Sequence, residues 1–205
     1  TEASEDGASH DGDTSYIAVV DAHRNMVSFE PSLHSDFGTG VVIEGLGIIF
    51  NCRGDYFRLQ PGYANSLEPG KRPRSTLQST LVTKDGQPFM ITGSPGGDDQ
   101  IARTLQTLVN VVDFGMDIQA AIDAPRWSTE AFPASPFPQT VRPGHLAVES
   151  RVAEGVQNAL RARGHTLEVV EPWSLGSNAG IIVHSEDGTV SAGADPRVEA
   201  EARAR

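Results

Sequence analysis

Thr14-Ser15-Tyr16-Ile17-Ala18-Val19-Val20-Asp21 is a β-patterned run headed by a hydroxyl, and the rest of the chain is read outward from it. Downstream lie Ser32-Leu33-His34-Ser35-Asp36-Phe37-Gly38-Thr39-Gly40 and then Thr92-Gly93-Ser94-Pro95-Gly96-Gly97. Further candidate strands fall at 25–30, 46–50, 80–83, 88–92, 166–170, 179–184 and 189–193, with the first at 15–20; turn pairs such as Asp85-Gly86 and Asp187-Gly188 bound several of them. Ile101, Leu105, Leu108, Val109 and Val112 repeat at helical spacing behind Asp98 and Asp99. A short helix is expected from Asp117 to just before Pro125. A third is expected over about 151–163, capped by Ser150 and ended by Gly164. Residues 126–147 read as a long irregular excursion rich in Pro, Phe and Ser. Strands cluster early and late with helices between them, which indicates layered sheets with helices outside rather than a regular βαβ alternation.

The chain has 205 residues, 38% of them hydrophobic, with 21 Gly and 13 Pro, as in a loop-rich globular domain that mixes strands and helices. A net charge of −11 argues against a nucleic-acid partner, since phosphate binding needs a basic face. No apolar run approaches the ~20 residues of a membrane span. The single cysteine, Cys52, excludes an intrachain disulfide and reads as a small packing residue. The histidines outside the second stretch (His10, His23, His145, His165, His184) show no metal-ligand spacing. Residues 1–13 carry five acidic groups and no large apolar residue, so the ordered domain is expected to be 14–205, with 1–13 a flexible segment or a linker preceding a cleavage site.

A hydroxyl nucleophile, a second hydroxyl and a Gly-Gly turn are what an amide-cleaving N-terminal-nucleophile enzyme needs. An N-terminal threonine can be its own catalytic pair: the hydroxyl attacks an acyl carbonyl, and the free α-amine, titrating near ~7.7–8.0, takes the proton. The amine must be free. Either cleavage at Asp13–Thr14 frees Thr14, or Thr1 is the nucleophile. Thr14 is preferred because it leads into a strand, whereas Thr1 leads into polar coil, and a rigid element holds a reacting group more precisely.

These motifs together resemble the small, nucleophile-bearing subunit of the γ-glutamyltranspeptidase family. Val19-Val20-Asp21 stands in register with Thr14 as in that family, and Ser32 falls where the family has a second Thr that polarises the nucleophile. Gly96 and Gly97 match its oxyanion-hole glycines. Asn51, Asp55, Phe57, Gly70-Lys71-Arg72-Pro73, Ser75-Thr76, Ala124-Pro125-Arg126 and Ala194-Asp195-Pro196-Arg197 extend the match over nearly all of 14–197. The resemblance implies a four-layer αββα sandwich of the Ntn-hydrolase type. It also implies a threonine acyl-enzyme, no metal or organic cofactor, and an obligate large subunit cut from the same precursor.

The chain departs from the family at the acyl-donor site. Where typical transpeptidases hold the donor's ammonium with Asn, Gln and Asp, this chain has His34, Arg53 and Tyr56. Arg53 is a permanent cation without an acceptor and repels an ammonium. The carboxylate-binding Ser pair persists as Ser75-Thr76. The expected substrate is therefore an amide whose acyl part is glutaryl-, oxalyl- or substituted-glutamyl-like. Two alternatives stand beside it: a conventional glutathione hydrolase, and a non-catalytic binding relative with an unprocessed linker.

Overall fold

β-branched and aromatic residues alternating along Thr14–Asp21 build the first strand of a hairpin, in the computed structural model, which describes residues 14–184 and 186–204. In chain order the strands are β1 (Ile17–Val20), β2 (Met26–Phe29), β3 (Val42–Ile43), β4 (Ile48–Ile49), β5 (Thr80–Lys84), β6 (Gln87–Gly93), β7 (Trp127–Ser128), β8 (His145–Glu149), β9 (Thr166–Val170), β10 (Ala179–Val183) and β11 (Val190–Ala194). The helices are α1 (Gln100–Val112), α2 (Ile118–Asp123) and α3 (Glu154–Ala162), with a 3₁₀ turn at Arg53–Tyr56. Thr1, His10 and the rest of the acidic segment lie outside the described residues.

β1 and β2 pair antiparallel, Ile17 opposite Phe29 and Val19 opposite Val27. Asp21 closes the turn, its carboxylate accepting from the backbone N–H groups of His23 and Asn25 at 2.8 and 2.9 Å. The main sheet runs β11-β10-β6-β5, antiparallel throughout. Side chains alternate across a strand, and this sorts its two faces. Met90 and Ile182 pack on Val111, Ile118, Ala121 and Ile122 of α1 and α2. On the other face, the space a Cβ on Gly93 would need is filled by the ring of Tyr16, which leads into β1. The hairpin and the helices thus lie on opposite faces, and three layers stack among the described residues: helices, sheet, hairpin.

A second sheet, β7-β8-β9, joins β8 to β9 in parallel through α3. It corrects the expectation of an irregular excursion over 126–147, which begins and ends in strand; β7 and the start of β8 were hidden because a two-residue strand and a Pro-rich loop leave no period to detect. The third helix also starts later than expected. Its N-cap is Ala153, without a side-chain cap bond, not Ser150. The chain instead turns at 149–152, where Val152 N–H donates to Glu149 O (2.9 Å). β4 falls within the strand expected at 46–50 and pairs in a short hairpin with β3, which lies outside the expected strands.

The Pro-Arg motifs meet in space. Arg126 and Asp195, 2% and 0% exposed as side chains, pair at 2.6 Å, and Arg197 bridges Asp195 (3.0 Å) to Glu149 (2.7 Å). Trp173 stacks on Arg151, its ring centre 3.4 Å from the guanidinium carbon. Burial opposes the ionisation of Glu149, but hydrogen bonds from Arg197 and Arg151 outweigh it and hold its pKa at about 2. Burial pulls Arg126 down to about 10 against the pull of Asp195, still charged at neutral pH.

α1 is amphipathic in an unexpected sense. Its buried residues are Gln100, Arg103, Thr104, Thr107 and Val111, while Ile101, Leu105 and Val112 are half-exposed or more. The outer face of the β1–β2 hairpin is likewise apolar and open: Ile17, Val19, Val27 and Phe29 are each about half exposed. No helix among the described residues is long and apolar enough to cross a membrane.

Candidate active site

Thr14 and Ser32 face each other in a single antiparallel bridge at the open end of the β1–β2 hairpin, their hydroxyl oxygens 2.8 Å apart. The proton order of this pair follows from counting. Ser32 Oγ accepts from Arg53 Nη2 at 2.8 Å and from His34 N–H at 3.1 Å. A hydroxyl has two lone pairs and one proton, so with both lone pairs engaged Ser32 donates to Thr14 Oγ1. The hydroxyl hydrogen of Thr14 is then free to leave in another direction.

Arg53 is inserted by the 3₁₀ turn, whose start is secured by Asn51 Oδ1 accepting from Arg53 N–H (3.0 Å). Its guanidinium is buried. Besides Ser32 it donates through Nη1 to Thr76 Oγ1 (3.2 Å) and to the Tyr56 hydroxyl (3.3 Å). Tyr56 is 3.1 Å from His34 Nδ1, and His34 Nε2 is 2.8 Å from Asp55 Oδ2. An ionised carboxylate only accepts, so Nε2 carries a proton, and in the neutral tautomer Nδ1 accepts from Tyr56. Burial pushes the Tyr56 phenol up, keeping it a donor at neutral pH. His34 adopts φ 79°, a left-handed backbone uncommon outside glycine, which turns its ring into this network.

Thr14, Ser32, His34, Arg53, Tyr56 and Thr76 thus form one connected set, although the sequence separates its ends by more than sixty positions. Ser75 does not join it. Its side chain is exposed and accepts from Leu77 N–H (3.2 Å), while Thr76 turns inward. Gly96 and Gly97 sit in the loop between β6 and α1 with φ of 99° and 65°, backbone that favours glycine. Pro95 of the same loop and Thr14 line one cavity of about 580 Å³, flanked by the ends of β10 and β11 and by segment 198–203.

Three residues that sequence reasoning passed over hold this loop. Asp98 accepts from Ser135 N–H (2.8 Å), from the Ser135 hydroxyl and from Arg74 Nη2 (3.1 Å). Asp99 accepts from the Ser128 hydroxyl. Arg103 reaches back from α1 to Ser94 Oγ (2.7 Å) and Pro95 O (2.8 Å) and also bonds Gly96 O. Charged residues directly after a Gly-Gly pair were the available signal, but they read equally well as a helix N-terminus. Glu30, just past β2, is also buried; Gln78 N–H donates to its Oε2 (2.7 Å), and burial raises its pKa. Trp127, exposed by about a third, borders α1 through Gln106 and does not touch the set around Thr14.

Residues 1–204 match the family model described as Gamma-glutamyltranspeptidase. The glutathione hydrolase-like YwrD proenzyme of Bacillus subtilis is 36% identical over 186 residues, 90% of this chain and 34% of its own length. The oxamate amidohydrolase proenzyme of Klebsiella pneumoniae is 33% identical over 192 residues, 93% of this chain and 35% of its own length. A solved gamma-glutamyltranspeptidase from Pseudomonas nitroreducens, complexed with L-DON, is similar with a TM-score of 0.73 and 29% identity, covering 93% of this chain and 98% of that chain. The chain therefore spans about a third of the length of the curated relatives it matches.

Proposed function

This chain belongs to the γ-glutamyltranspeptidase family, and from that premise we propose that it is the nucleophile-bearing part of an amide hydrolase or acyltransferase working through a Thr14 acyl-enzyme. The observation that carries the reading is the 2.8 Å contact between Thr14 and Ser32, with Ser32 obliged to donate. Cleavage at Asp13–Thr14 frees the α-amine. The amine takes the Oγ1 proton as Oγ1 attacks the acyl carbon, and the carbonyl oxygen becomes an oxyanion held by the N–H groups of Gly96 and Gly97. As the C–N bond breaks, the ammonium returns its proton to the leaving amine, and an ester on Thr14 remains. Water, or an amine in the transfer reaction, then attacks the ester, the α-amine again takes the proton, and Thr14 Oγ1 recovers it on leaving. Each oxyanion donor is worth about 2.7–4 kcal/mol in the transition state.

The acyl end is proposed to be neutral or anionic. Arg53 presents a buried positive charge there, and Asp55, the carboxylate bonded to this set, is engaged by His34. The printed name of the Klebsiella relative, an oxamate amidohydrolase, agrees with a short anionic acyl group. Ser75 and Thr76 remain the proposed contacts for a donor carboxylate. A conventional glutathione hydrolase is the second reading, favoured by the name of the Bacillus relative.

The proposed partner is the upstream chain of the same precursor, in keeping with proenzyme relatives about three times as long. Two apolar faces, Ile17-Val19-Val27-Phe29 and Ile101-Leu105-Val112, each about half exposed and without a packing layer among the described residues, are suited to it, and it would supply the fourth layer of the αββα sandwich. Two measurements test the reading. The intact mass of the small subunit from the expressed precursor should correspond to a start at Thr14; retention of residues 1–13 would refute a Thr14 nucleophile. The kcat/KM for a glutaryl anilide should exceed that for a γ-glutamyl anilide, and the reverse order would leave the conventional hydrolase.

A further inference from the structure

We infer that Arg103 is a positioning residue that aims and polarises the oxyanion-binding peptides, a role that rests on the assignment of Gly96 and Gly97 above. Its Nη2 donates to two successive carbonyls, Pro95 O at 2.8 Å and Gly96 O. In a planar trans peptide the C=O and the following N–H point in opposite directions. The carbonyl of Pro95 shares its plane with the N–H of Gly96, and the carbonyl of Gly96 shares its plane with the N–H of Gly97. Drawing both carbonyls onto one guanidinium therefore turns both N–H groups away from it, side by side. Neither N–H has a hydrogen-bond partner among the described residues, whereas both carbonyls do.

The guanidinium is itself fixed. Nε donates to Ser94 Oγ at 2.7 Å, and Ser94 passes its own proton to Ser177 O at 2.5 Å, which ties the loop to the segment before β10. Asp99 faces Nη1 at 3.9 Å. The side chain is 7% exposed, so its charge acts through little water. A cation on the carbonyl side of a peptide withdraws electron density and strengthens the N–H on the far side as a donor. The left-handed backbone at Gly96 and Gly97 lets both planes turn this way, and a Cβ on Gly96 would come within 3.3 Å of Arg103 Nη2. The strain-tolerant glycines and the arginine behind them form one device.

The test uses the full precursor carrying Arg103→Lys or, separately, Ser94→Ala, which removes the grip on Nε together with the tie to Ser177 O while leaving Nη2 and its two carbonyls unaltered. The readouts are processing by intact mass, kcat and KM on an anilide substrate, the unfolding midpoint, and the affinity of 4-boronobutanoate, whose boron becomes tetrahedral on Thr14 Oγ1. Arg103→Lys keeps the charge but not the fork that holds Ser94 Oγ through Nε while Nη2 takes both carbonyls. It is expected to lower kcat by about 10- to 100-fold with KM changed by less than about threefold, and to weaken the boronate by the same factor as kcat/KM. Ser94→Ala should move the same quantities in the same direction by a smaller factor. Unchanged kcat, or a kcat loss that leaves boronate affinity intact, overturns the proposal, as does an effect on the unfolding midpoint alone. If the boronate binds the Thr14→Ala precursor as well as the unsubstituted enzyme, it is the site assignment that fails rather than the role of Arg103.

Discussion

Replacing Arg53 by Gln, the residue type found at this position in typical transpeptidases, separates its charge from its hydrogen bonds. Two consecutive 2.8 Å hydrogen bonds, Arg53 to Ser32 and Ser32 to Thr14, keep the guanidinium within about 6 Å of Thr14 Oγ1, on the residue that carries the α-amine. At an effective dielectric of about 20, a unit charge at ~6 Å is worth roughly 2.8 kcal/mol. Thr14 is only half-buried, and screening cuts this to about 1.4 kcal/mol, or about one pKa unit. A positive neighbour disfavours the ammonium form, so the α-amine freed on Thr14 is expected to titrate lower with Arg53 in place than without it. Asp55 is bonded to His34, Glu30 feels the Arg53 charge while burial raises its pKa, burial keeps Tyr56 neutral, and none of them is altered by the substitution. In Arg53→Gln the amine pKa rises, and the acid limb of kcat/KM moves up by about one pH unit. Below that limb the variant is about tenfold slower, and above it the two rates converge. Arg53→Lys, which keeps the charge, should leave the limb in place. The assay is kcat/KM for an anilide from pH 5 to 10. A limb that stays fixed in Arg53→Gln, or moves to lower pH, refutes the electrostatic argument.

Further outcomes follow from the buried network and the loop. Asp195→Asn leaves Arg126 charged and without its ion partner in the interior, so the precursor should lose about 3–5 kcal/mol, read as a lower thermal unfolding midpoint. Glu149 titrates at about 2 in the folded chain against an ordinary 4.5. Its contribution is therefore complete above pH ~4.5 and is lost as the pH falls through ~2, and Glu149→Gln should flatten the stability profile across that window in acid titration followed by circular dichroism. Gly96→Ala forces a side chain onto φ 99° and against Arg103, and should lower kcat by about 100-fold or more with little change in KM in steady-state kinetics. Ser32→Ala strips Arg53 and His34 of a shared acceptor and Thr14 of its donor; a kcat unchanged within twofold would contradict the proton order derived for the pair.

The sequence by itself determined what depends on local period and on ordered motifs. The β1–β2 hairpin, the β5–β6 hairpin, β9 to β11 and the position of α1 were legible because alternation and helical spacing are properties of neighbouring residues. The family was legible because Thr14, Ser32 and the Gly-Gly pair occur in the family's order. Tertiary structure alone decided which face of each element is used. α1 turns its polar Gln100-Arg103-Thr104-Thr107 side inward and Ile101, Leu105 and Val112 outward, the reverse of what an isolated amphipathic helix does; Arg103 bonds the loop just before the helix, and Thr104 meets Asn178 across a chain distance that no window spans. β7 and β8 emerged from an apparently irregular segment because pairing with each other, and of β8 with β9, rather than their own composition, makes them strands. Arg53 read as a donor-site cation from its position, but in three dimensions it also grips Ser32, and through it Thr14. A guanidinium has five donors in a fixed fork, and where they are spent is decided by the acceptors that folding brings within 2.8 to 3.3 Å.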